Sequence, residues 1–125
     1  SGTAVDGNEP NNEPNSATSL TPASPLDGVV GGPKDSDVFR SDAPAGDQTK
    51  LFTVTVETAT PEKLDVQVGA SIPGVWEGIT WPGWKPQATS EGLQVEGSLK
   101  AGTVLIVIKG AAGTQYRITI VWKDA

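Results

Sequence analysis

Residues 51–57 read LFTVTVE, and their strict alternation limits the shape of this chain more than any other feature. In an extended strand successive side chains leave opposite faces, so Phe52, Val54 and Val56 share one face and Thr53, Thr55 and Glu57 the other. The pattern predicts a half-buried β-strand. It returns in Leu64, Val66 and Val68 against Asp65 and Gln67, and again in Tyr116, Ile118, Ile120 and Trp122 against Arg117, Thr119 and Lys123. Val104–Ile108 is instead a continuous run of β-branched residues and Leu, which predicts a central strand covered on both faces. Leu93–Leu99 offers a further strand, and Lys109–Gly113 reads as a turn. No stretch of ten or more residues carries a helical period. Short strands separated by glycine-containing turns predict an all-β fold, an antiparallel, jelly-roll-like β-sandwich of about seven or eight strands. Residues 1–27, rich in Gly, Asn, Pro, Ser and Thr, read as an irregular N-terminal arm or linker, with the sandwich over 28–125.

A chain of 125 residues suits a single domain that buries roughly two-thirds of its unfolded surface. It contains no Cys, His or Met. Disulfides, histidine-ligated zinc, and the Ser-His-Asp and Cys-His nucleophile systems are therefore excluded within it. Glu77 and Glu91 could serve glycoside hydrolysis only if they faced each other across a cleft, and nothing in the sequence places them so. No phosphate-cradling or dinucleotide-binding glycine motif is present. The chain is expected not to be an enzyme.

The net charge is −6 and unevenly spread. Residues 1–50 hold eight carboxylates and three cations, whereas the remaining 75 hold seven and six. An acidic front end does not suit a nucleic-acid backbone, which needs clustered Lys and Arg to replace counterions. It suits cations, although a solvated, self-repelling leader has the same composition. No run of about 18 apolar residues is available to span a bilayer. No signal segment opens the chain, which says nothing against export of a mature or excised form.

Four pieces stand out in order and spacing: Glu9-Pro10-Asn11-Asn12, Asn15 to Leu20, Lys34-Asp35-Ser36-Asp37-Val38-Phe39, and Gly113-Thr114-Gln115-Tyr116-Arg117-Ile118. Together they resemble the bacterial pre-peptidase C-terminal domain, over most of the chain. That family includes the collagen-binding domains of clostridial collagenases and tail domains of many secreted hydrolases. The resemblance implies a jelly-roll-like sandwich, exported and not itself catalytic. It also implies a calcium site, in which the E-P-N segment folds back to meet the D-x-D loop. Carried onto this sequence, the ligands are Glu9, Asn11, Asp35 and Asp37, with Asn12 and Glu13 as further contributors. The donor set is chemically apt, since calcium takes six to eight oxygens from carboxylates, amides and carbonyls in irregular geometry. Gly7 and Asn12 stand where the dinuclear relatives carry acids, so one ion is expected rather than two. Asp6 lies one residue back from the first of these gaps, and a second register, Glu13-Pro14-Asn15, also fits.

Residues 73–86, PGVWEGITWPGWKP, hold three of the four tryptophans among three glycines and three prolines. This is a loop, and two arrangements fit it. Trp76, Trp81 and Trp84 can form an exposed aromatic platform for a sugar or polymer surface. One or two of them can instead fold inward, because a domain with two Phe and one Tyr needs large fillers. Trp122, at an inward strand position, is expected in the core. The collagen binders of the family use a tyrosine-rich face, and with only Tyr116 here collagen binding does not carry over. The functional expectation is a calcium-stabilised accessory module of a secreted or cell-surface bacterial protein. It would be monomeric and would attach its parent to an insoluble polysaccharide or protein polymer. The alternative is a structural, spacer or export module without a macromolecular ligand.

Overall fold

In a computed structural model, which describes residues 18–31, 36–46, 48–71 and 84–125, the alternating run becomes the middle strand of a five-stranded sheet. Nine strands are formed among these residues: β1 (Thr18–Ser19), β2 (Leu26–Val29), β3 (Asp37–Asp42), β4 (Lys50–Glu57), β5 (Leu64–Ser71), β6 (Gln87–Ala88), β7 (Gly92–Leu99), β8 (Thr103–Gly110) and β9 (Gln115–Asp124). One sheet runs β1-β3-β8-β5 and the other β2-β9-β4-β7-β6. The class is the all-β sandwich expected. Its strand count exceeds the expected seven or eight by short elements, since β1 and β6 have two residues each and no room for a period. One pairing departs from the antiparallel rule: β1 runs parallel to β3, with Thr18 opposite Phe39.

Register explains why the pattern was readable. Val54 lies between Val95 of β7 and Ile120 of β9, and Val56 beside Ile118, so the middle of one face of three strands is aliphatic. These side chains are buried, as are Val66, Val68, Val104, Ile106 and Ile108 of the facing sheet. Full burial of each such side chain contributes about 1.5–3 kcal/mol. The run Val104–Ile108 is central as expected, with β3 on one side of β8 and β5 on the other.

The sandwich also takes in residues before the change of texture at residue 28. Leu20 is buried, its N–H donating to the Arg40 carbonyl at 2.8 Å. Three residues on, the Ala23 N–H donates to the Ile120 carbonyl of the other sheet at 2.8 Å. This short segment thus ties β3 to β9 across the edge of the sandwich. Residues 1–17 of the expected arm lie outside the described residues.

Two side-chain hydrogen bonds also join β3 to β9. Trp122 donates from Nε1 to Ser41 Oγ at 2.9 Å, and the Tyr116 hydroxyl donates to Asp37. Trp122 is half-buried against the core rather than inside it. Its ring stands near the end of the β4–β9 ladder, opposite Phe52 and beyond the last β2 pair at Ile118, and its polar edge reaches Ser41.

Candidate metal centre

Asp37 is the first residue of β3 and pairs with Ile108 in the middle of the sheet, so its side chain is carried into the sandwich with no accessible surface. An ionised carboxylate taken out of water is costly unless hydrogen bonds or a cation compensate it. One compensation comes from the opposite sheet: the Tyr116 hydroxyl donates to Asp37 Oδ2 at 2.5 Å.

The geometry of Tyr116 is set by two neighbours. It pairs with Gly28 in the β2–β9 ladder, and a Cβ on Gly28 would stand 2.4 Å from its Cζ and hydroxyl oxygen. Only a glycine leaves the ring this path. Phe39 meets the ring edge-on, with centroids 6.2 Å apart and planes at 87°. Further along, the Val30 N–H donates to the Thr114 carbonyl and the Gly113 N–H to the Val30 carbonyl, which fix the strand ends around the site. The carboxylate of Asp37 is thereby held inside the sandwich at the start of β3.

Of the six expected calcium ligands, Asp37 alone lies among the described residues; Glu9, Asn11, Asn12, Glu13 and Asp35 lie outside them. Among the described residues no group of three or more His, Cys, Asp or Glu is placed to hold a metal ion. A buried, rigidly positioned carboxylate is a hard-oxygen donor that fits calcium. The two-residue period marks Tyr116 as an inward position of β9 but carries no sign of its link to Asp37. No sequence signal joins residues 79 positions apart.

The tryptophan loop is represented by Trp84, since Trp76 and Trp81 lie outside the described residues. Trp84 is half-buried and meets Phe52 edge-on, with centroids 4.9 Å apart at 85°. Both rings rest over Gly97, where a Cβ would lie 2.5 Å from Phe52 and 2.8 Å from Trp84. Part of Trp84 is therefore spent on the core.

An open cleft of about 820 Å³ lies between β2, β9 and the end of β4, lined by Asp27, Glu57, Glu91 and Arg117 among others. Arg117 Nε donates to Asp27 Oδ1 at 2.7 Å. This hydrogen bond holds the Asp27 carboxyl below its ordinary value and raises Arg117 above its own. Of the acid pair weighed for hydrolysis, Glu91 sits on this cleft and Glu77 lies outside the described residues.

No family model and no curated protein matches the sequence. Solved structures match its fold. The crystal structure of the pre-peptidase C-terminal domain of collagenase from Bacillus anthracis superposes with a TM-score of 0.59 at 13% identity, covering 88% of this chain and 99% of that one. The likeness is one of fold, and it is the fold that the four sequence pieces imply.

Proposed function

We propose that this chain, a sandwich with the fold of a pre-peptidase C-terminal domain, is a non-catalytic accessory module of an exported bacterial protein, stabilised by one calcium ion. The observation that carries the reading is the buried Asp37 carboxylate, held by Tyr116 over Gly28 at the start of β3. Glu9, Asn11 and Asp35 would complete the coordination, with Asn12 and Glu13 as further oxygens, and the ion would supply positive charge to an acidic front end. The absence of Cys and His supports a role other than catalysis. The crystallised relative in fold is by its description a domain of a collagenase, which supports an extracellular setting.

Titration of chelator-stripped protein with calcium tests this. Saturable binding near one ion per chain, abolished by Asp37→Asn, is the expected outcome. Heat flow indistinguishable from the buffer blank would overturn the calcium reading.

The attachment role rests on Trp76, Trp81 and Trp84. The packing of Trp84 on Phe52 favours the second reading, a structural or spacer module, because that ring is already engaged. Retention on chitin, cellulose or collagen, compared with a Trp81→Ala/Trp84→Ala variant, separates the two. Retention that the variant loses supports attachment, and passage through every matrix supports the spacer.

A further inference from the structure

We draw no further inference here: the strongest candidate, the open cleft between β2, β9 and the end of β4, is a cluster of exposed acidic side chains around Arg117, and nothing in the structure shows what ligand would fill it.

Discussion

Tyr116 is the single tyrosine of the chain, and its hydroxyl is the contact on which the candidate site turns. Tyr116→Phe keeps the ring against Phe39 but withdraws a donor from a buried carboxylate, and a loss of this kind costs about 1–3 kcal/mol. Denaturant unfolding of the chelated protein reads it directly, and an unchanged midpoint would show that Asp37 does not depend on the hydroxyl. Gly28→Ala attacks the same contact from the other side, because its methyl would overlap the phenol ring. Overpacking of that sort destabilises by about 1–3 kcal/mol. Ala23 presents the opposite case, a non-glycine residue at φ 64°. L-residues are strained in that region, so Ala23→Gly is expected to be neutral or to stabilise by up to about 1 kcal/mol in the same assay, the greater chain entropy of glycine offsetting part of the gain. Asp42 is held below its ordinary carboxyl value by hydrogen bonds from Thr103 and then Arg40. A lowered folded-state value means stability that is present above the unfolded carboxyl value and lost as pH falls through the folded one. The side chain is 69% exposed, so Asp42→Asn is expected to change unfolding stability by no more than about 0.5 kcal/mol, and only above about pH 4.

Among the elements, the strands with room for alternation were legible and the short ones were not. β4 and β9 have eight and ten residues, and their inward Val and Ile positions follow the two-residue period through nearly their full lengths. β1 and β6 carry two residues each, too few to show a period, so their existence is decided by their partners: Phe39, 21 residues on, for Thr18, and Gln94 across a short turn for Gln87. The part played by Leu20 is hidden for the same reason. Leu20 is a lone apolar residue in a polar stretch, and only its contact with β3 makes it core. Trp122 shows the limit of period as a guide to burial, since parity places a side chain on a face but does not say how near the end of the sheet it stands. The β7 edge yields a test at this scale. Gly97→Val would drive a branched side chain into Phe52 and Trp84, and Trp84 fluorescence should shift toward that of an exposed indole as the melting temperature falls. An unaltered spectrum would show that Trp84 does not rest on β7. The spectrum is best read in a Trp76→Phe/Trp81→Phe/Trp122→Phe background, in which Trp84 is the remaining indole.

For the molecule as a whole, the sandwich was written in the alternation and turn spacing, whereas its candidate site is a matter of encounter between distant pieces. Asp37 was singled out from a three-residue motif, but its burial and its bond to Tyr116 depend on β3 facing β9, which no local pattern encodes. The central claim is that one calcium ion, received by Asp37, joins the acidic front end to this sandwich. Thermal melts in excess chelator and in about 2 mM calcium test it most directly. For a dissociation constant of about 20 μM, linkage adds about 2.7 kcal/mol, or roughly 10 °C for a domain of this size. The account predicts that shift in the native protein and its loss in Asp37→Asn, whereas superimposable melts with and without calcium would contradict it.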